Sequence, residues 1–481
     1  MKNAANILPL ALGVLSAVSG CNLAPTYSRP DAPVPAQWPA HAGIEPSTQP
    51  ATDVLPDWRE FFADGKLQQL IEKALDQNRD LRLAALNVER ARQLYGVQRA
   101  EALPTVDASA AFNRQRVPGE LSRDGRAVTS NLFSANVALV AWELDLFGRI
   151  RSLSDAALQQ FLASEQARRG VQIMLISGVA DAYLNLAADL ESLKLAQSTL
   201  QAQQDTYNLV KKRLEGGISP EIDLHRVQTQ VETARREVAR FTQQVALDRN
   251  ALELLVGAPV PDDLLPAGLS QITPLKELKP GISSEILLSR PDIIQAENQL
   301  RAAYANIGAA RAVLFPRITL TTTGGTASNE LAGLFDASSR AWTFAPQMVM
   351  PIFDARAWSA LKVTKVDRQI ALTQYEKAIQ TGFREVADAL AVRSTVGQEL
   401  AAQESLVRAV AETYRLSLAR YEKGVDSYLD VLDAQRSLFA AEEVLIAFRH
   451  AMWSSQVRLY AVLGGGWNEP SAPVATPATE P

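Results

Sequence analysis

Residues 207–228 read YNLVKKRLEGGISPEIDLHRVQ, and residues 414–435 read YRLSLARYEKGVDSYLDVLDAQ. Laid side by side without a gap, Tyr207/Tyr414, Arg213/Arg420, Glu215/Glu422, Gly217/Gly424, Asp223/Asp430 and Gln228/Gln435 coincide. A second pair of stretches, 80–104 and 292–316, aligns Asp80/Asp292, Ala84/Ala296, Gly96/Gly308, Arg99/Arg311 and Pro104/Pro316. VADA at 179–182 recurs at 386–389, and the two halves end alike at Gly257 and Gly464. The chain is a duplication whose copies lie about 210 residues apart, too long a period for a solenoid. A pseudo-twofold protomer follows.

Within each copy the texture changes in a fixed order. Copy one opens with a helix over 67–103, rich in Ala, Leu, Arg and Gln, that Pro104 stops. TVDASAAFNR then alternates, with Val106, Ala108, Ala110 and Phe112 on one face, which is a strand of period two. A polar loop at 117–130 leads to a second strand over 131–143, giving a β-hairpin across 105–143. Copy two repeats the plan with a hairpin over 317–352. A small soluble sheet packed on helices accounts for the same pattern, and Pro346 and Pro351 argue against a central strand in any sheet.

The helices that follow are long. No proline falls between Pro118 and Pro220, nor between Pro351 and Pro470. About 70 helical residues from 145 to 215 extend roughly 105 Å, with Gly170 and Gly178 as places for a break or bend. The chain turns at 216–220 and returns to Gly257, and copy two turns at 424–427. Such helices need helical neighbours, so an antiparallel, coiled-coil-like array is expected. Four strands of membrane length cannot close a barrel alone. Two chains give eight strands with a filled lumen, whereas three give twelve and leave room for a channel.

Composition narrows the function. The 48 basic and 53 acidic residues leave a net charge of −5 with no basic block, which excludes a nucleic-acid footprint. His41, His225 and His450 match no metal spacing, and no phosphate loop, GxSxG or HExxH occurs. Nothing here reads as an enzyme. The single cysteine, Cys21, ends the apolar segment ILPLALGVLSAVSGC. Residues 1–20 read as a secretory signal rather than a membrane span, and Val18-Ser19-Gly20-Cys21 resembles a bacterial lipobox. That resemblance implies cleavage before Cys21, which then carries S-diacylglycerol and an N-acyl chain. The Pro-rich segment after it reads as an extended tether within 21–66, and 465–481 as a flexible tail.

The lipobox, the APTYSRP tether, the duplicated helix–hairpin–helix plan, YEKGVDSYLDVLDAQRSLF and the ending RLYAVLGGGW together carry a resemblance over nearly the whole chain. It is similar to the outer-membrane factors of tripartite efflux systems, the TolC-like channels, in the lipoprotein branch that includes OprM and NodT. The fold so implied is mainly α with a membrane β-barrel portion. It is a homotrimer whose four strands per protomer close a twelve-stranded barrel, continuing into a helical periplasmic tunnel. The first repeat then spans 67–259, an equatorial linker 260–290 and the second repeat 291–464, with segments near 55–66 and 464–470 joining the equatorial region. The implied function is a passive duct exporting drugs or other small toxic solutes. Its partners are a periplasmic adaptor (membrane fusion protein) and an inner-membrane pump of the RND type. No cofactor is implied beyond the lipid on Cys21.

The resemblance also carries site residues. Leu429, Asp433 and Arg436 match positions that constrict the closed periplasmic gate, Asp430 and Asp433 match a paired-acid motif, and Tyr421 matches a tyrosine tying neighbouring helices. Asp426 stands where TolC-like channels have a basic residue. The tips at Gly216, Gly217 and Ser219, and at Gly424, Val425, Asp426 and Ser427, are the expected adaptor-docking surfaces. On residues alone, acids near a helix start suit its dipole. Copy one, however, has Arg226 opposite Asp433, so the acid pair belongs to one copy. Arg436, one turn on, is placed to neutralise Asp433. A type I secretion duct, or a non-conducting coiled-coil lipoprotein, fits the same architecture. A secreted hydrolase lacks a nucleophile–base pair.

Overall fold

Alternation of residue type builds the sheet. In the computed structural model, which describes residues 22–36, 38–39, 56–276 and 284–465, β1 (Val106–Val117), β2 (Val128–Leu144), β3 (Arg317–Ser328) and β4 (Arg340–Val349) form one antiparallel sheet in the order β1-β2-β3-β4. The two hairpins, one from each copy, are joined through the β2/β3 ladder. Register puts Val106, Ala108, Ala110 and Phe112 opposite Leu139, Val137, Ala135 and Phe133, so one face is apolar. Asp107, Ser109 and Asn113 turn to the other face, alongside Asn136 and Ser134. The ladder shifts between Leu139 and Trp142, where Ala141 adopts φ +47 and bulges the strand. β1 and β4 are edges with no further strand beside them among the described residues. Pro346 lies in β4, an edge strand of the single chain, opposite Leu320.

The chain divides into two compact units. The sheet belongs to the one made of Met1–Asp31, Asn87–Glu165 and Gln295–Glu376; the other comprises Ala32–Leu86, Gln166–Ile294 and Lys377–Pro481. The signal segment 1–20, Cys21, residues 277–283 of the linker and the tail from 466 lie outside the described residues.

In the sheet-bearing unit the tether is strapped to a helix of copy two. Glu297, 3% exposed, receives Arg29 at 2.7 and 3.2 Å, the Tyr27 hydroxyl at 3.0 Å and Arg301 at 2.7 Å. Burial raises the Glu297 pKa, but the bonds from Arg29, Arg301 and Tyr27 outweigh it and hold the carboxyl below its usual range. Arg311 donates to the Leu23 carbonyl at 2.9 Å. Gly308 makes room for the strap, since a Cβ there would lie 2.8 Å from Ala24. The aligned copy-one residues cannot repeat this. Ala85 stands opposite Glu297, and Gly96 has nothing nearby.

After the short helix Trp58–Phe61 (α1), the helix expected over 67–103 is split into Gly65–Gln77 (α2) and Arg79–Ala100 (α3). Asn78 causes the break: its Oδ1 accepts from Leu81 N at 2.9 Å, capping α3, and its Nδ2 donates to the Leu255 carbonyl at 2.8 Å. By contrast α4 (Arg149–Glu215) runs unbroken through Gly170 and Gly178. Gly178 faces Leu255 of α5 (Glu221–Val256), where a Cβ would make ordinary contact at 3.8 Å. In copy two α6 (Pro291–Ala312) precedes β3, and α7 (Ala355–Glu422) and α8 (Tyr428–Val462) follow β4. α4 is long and apolar enough to cross a membrane, yet 56% of its most apolar window is buried within the protein.

Helical contacts in the second unit show the pairing. Asp181 of α4 accepts from Ser454 of α8 at 3.0 Å, Arg449 of α8 reaches Glu191 of α4 at 3.3 Å, and Arg240 of α5 pairs with Glu443 of α8 at 2.6 Å. Near Trp58–Phe61 the segments flanking the bundle converge. Phe61 stacks on Tyr460 with centroids 4.3 Å apart, Lys276 N donates to the Phe61 carbonyl at 3.1 Å, and the Tyr460 hydroxyl donates to the Gly465 carbonyl at 2.6 Å. Arg290, 10% exposed, ties Asp292, Glu385 and the Val462 carbonyl together.

One pair of carboxyls in this unit responds to pH. Burial, and next the hydrogen-bonded Asp248 of α5, push Asp189 of α4 up to about 7. Asp248 Oδ1 accepts from Gln244 at 3.1 Å, but its Oδ2 is buried with no donor among the described residues. A proton held on Asp189 supplies one. With the folded value above the ordinary 3.8, this stability is full in acid and is lost as pH rises through about 7. The melting temperature is expected to fall by a few degrees from about pH 6 to about pH 8. Asp189→Asn, whose amide donates at any pH, should flatten that slope; equal slopes would sink the reading.

Candidate functional site

The ends of the two helical hairpins are built alike. Gly217 and Gly424 both take positive φ, +71 and +72, a backbone region open to glycine at little cost. Each closes its helix with a six-to-one bond, Ile218 N to the Arg213 carbonyl at 2.8 Å and Val425 N to the Arg420 carbonyl at 3.0 Å. The turns thereby present Ile218, 73% exposed, and Val425, 61% exposed, at matching positions. Gly216, Gly217, Gly424 and Ser427 are exposed beside them, while Ser219 and Asp426 are half-buried.

Below the turns a shared core joins the hairpins. Val210 of α4 and Val227 of α5 pack with Tyr421 of α7 and Tyr428, Val431 and Leu432 of α8. The Tyr421 and Tyr428 rings meet edge to face at 5.4 Å, and the Arg213 guanidinium lies 4.8 Å from the Tyr421 ring centre. The Tyr428 hydroxyl is buried without a partner among the described residues, and burial raises its pKa. Arg213 and Tyr428 carry this packing and Gln230 borders it, yet none of the three is among the site residues expected from the sequence. A signal for Tyr428 existed: copy one has Glu221 at that position.

The expected gate residues divide into two groups. Tyr421 is buried in the core, whereas Leu429, Asp430, Asp433 and Arg436 are exposed on the protomer. Asp430 accepts from Ser427 Oγ at 2.8 Å. The Asp433 carboxylate has no partner within the chain among the described residues. Arg436 does not turn back to Asp433 but donates to Gln230 of α5 at 3.2 Å. Asp426 is held by two guanidinium nitrogens of its own Arg420, Nε and Nη2, which lowers its pKa. In copy one Asp223 and Arg226 pair at 3.3 Å. One hairpin thus neutralises its acid, and the other leaves two carboxylates facing solvent. Among the described residues no cluster of His, Cys, Asp or Glu is arranged to hold a metal ion.

The family described as outer membrane efflux protein matches residues 70–258 and 282–465, one match on each copy of the repeat. The chain belongs to that family. It is 44% identical over 464 residues to the toluene efflux pump outer membrane protein TtgC of Pseudomonas putida, covering 96% of each chain. It is 42% identical to the outer membrane protein OprJ of Pseudomonas aeruginosa, covering 95% of this chain and 96% of that one. The open-state structure of the MtrE outer membrane channel of Neisseria gonorrhoeae superposes with a TM-score of 0.83 at 37% identity, over 93% of this chain and 98% of that one. This outer membrane efflux protein therefore has a mainly helical channel-type fold with a four-stranded sheet, and its place is the outer membrane.

Proposed function

We propose that this efflux protein is a passive duct formed by three copies, whose sheets close edge to edge into a twelve-stranded barrel. The observation that carries the reading is the sheet itself. Among the described residues its two edges, β1 and β4, are open, and one of its faces is apolar. An open edge in lipid leaves backbone groups unsatisfied, and only ring closure removes it. Helices α4, α5, α7 and α8 then continue as a periplasmic tunnel. The chain acts as a conduit and not as an enzyme. Relatives are named for toluene, solvent and antibiotic efflux, so small organic toxicants are the proposed cargo. An inner-membrane pump of the RND type and a periplasmic adaptor supply energy and contact, the adaptor meeting the tips at Gly216–Ser219 and Gly424–Ser427. Lipid on Cys21 anchors the tether. The domain plan is a signal segment, a tether, two repeats and an equatorial belt between them.

The gate lies at the tip of copy two. Threefold symmetry turns Asp430 and Asp433 into two rings of three carboxylates that concentrate cations. Leu429 narrows the passage, Tyr421 ties α7 to its neighbours, and Arg436 braces α5 through Gln230. Single-channel recording in planar bilayers tests this. The wild-type chain should conduct, and divalent cations should block it. The D430N/D433N pair should weaken that block about tenfold or more. A chain that inserts without conducting would be a strut, and unchanged block in the double variant would remove the acids from the gate.

A further inference from the structure

The apolar face of the sheet does not run to the turns uniformly. Phe112 of β1 stacks on Phe133 of β2 at 4.5 Å, and Trp342 and Phe344 of β4 lie on that same face, 80% and 59% exposed. Beyond the Phe112–Phe133 pair, towards the β1–β2 turn, the face carries Arg114 opposite Asn131 and Arg116 opposite Thr129. Beyond Trp342, towards the β3–β4 turn, it carries Arg340 opposite Thr326. All three arginines are exposed, and among the described residues none is paired with a carboxylate. The turns themselves hold both signs, with Arg123 and Arg126 against Glu120, Asp124, Glu330 and Asp336. The cations confined to the apolar face are thus set apart from the mixed charge of the turns.

Position along the strand says what such cations meet. Arg114 and Arg116 follow Phe112 by two and four residues, or about 7 and 13 Å at a strand's rise. That is the depth at which acyl chains give way to headgroups, roughly 5–8 Å thick on each side of the hydrocarbon. An arginine there lays its stem on the apolar face and presents its fork outward. The fork matches phosphate in two-point geometry. The turn end of the sheet is the outer end, because the opposite end continues into the helices.

Resting on the barrel reading above, we propose that Arg114, Arg116 and Arg340 form a band that binds the phosphates of outer-leaflet lipopolysaccharide. Because β1 and β4 are the two edges, ring closure makes the strand that carries Arg114 and Arg116 in one copy the neighbour of the strand that carries Arg340 in the next. Each seam of the barrel then has phosphate-binding arginines on both of its strands.

The test uses the full chain reconstituted in vesicles containing either bis-phosphorylated or dephosphorylated lipid A. Lipid retained after purification and channel conductance are read on the same sample. The wild type is expected to retain the phosphorylated lipid about tenfold over the dephosphorylated one. In R114Q/R116Q/R340Q that ratio should fall to near one while conductance stays the same. A triple variant that conducts and keeps the wild-type ratio overturns the band and leaves the duct standing, as does a wild type with no preference. A wild type that does not conduct overturns the duct and the band with it. If the triple variant does not insert, R114Q and R340Q singly decide the matter. Each should lower the ratio, and no change in either overturns the band.

Discussion

Replacing Tyr421 by alanine is expected to raise the conductance of the reconstituted channel about tenfold or more. The residue is 8% exposed and touches every part of the tip core: the Tyr428 ring, the Arg213 guanidinium, and the cluster of Val210, Val227, Val431 and Leu432. Removing a buried aromatic ring costs about 3–5 kcal/mol, and about 1.4 kcal/mol is worth a factor of ten in any two-state equilibrium. The cost falls on one place. The shared core is where copy one and copy two meet at their tips, so the loss favours their separation over global unfolding. Tyr421→Phe keeps the ring and should keep the channel closed. Conductance unchanged in Tyr421→Ala, with the core demonstrably loosened by faster amide exchange, would detach the tip core from gating.

Glu297→Ala should destabilise the sheet-bearing unit by about 3 kcal/mol and free the strap of residues 22–31. Breaking a buried ion pair costs about 3–5 kcal/mol. The lower end applies here, because Arg29 and Arg301 are 46% and 41% exposed and can return to water. The sign of the pH effect follows from the lowered Glu297 pKa. The contribution is present above the unfolded carboxylate value of about 4.3, and it is lost as pH falls through the folded value. The wild type should therefore lose stability in acid more steeply than the variant. Limited proteolysis near Arg29 and acid unfolding curves of both chains measure this. Equal protection of the strap in the two would assign its hold to Arg311 and Gly308 instead.

Much of the fold was legible because it is periodic. The duplication located both glycine turns, and period two found the strands at 105–143 and 317–352, although β1 and β2 run longer than the alternation suggested. The sequence pattern runs through 67–103 as one helix because Asn78 looks like any polar surface residue. Only its bond to the Leu255 carbonyl, far away in sequence, reveals it as a cap. Asp430 and Asp433 stood out through the asymmetry between copies. Their surroundings did not, since Arg436 turns to Gln230 and Asp426 to Arg420.

By itself, then, the sequence determined the elements, their order and their doubling, because helix and strand periods, prolines and glycines act locally along the chain. Tertiary structure alone decided how the two copies differ. It joined the hairpins through β2 and β3 and strapped the tether to Glu297 where copy one has Ala85. It also built one tip core from both halves. Each of these rests on contacts between residues far apart in the chain, whose energy depends on distance in space and leaves no period to read.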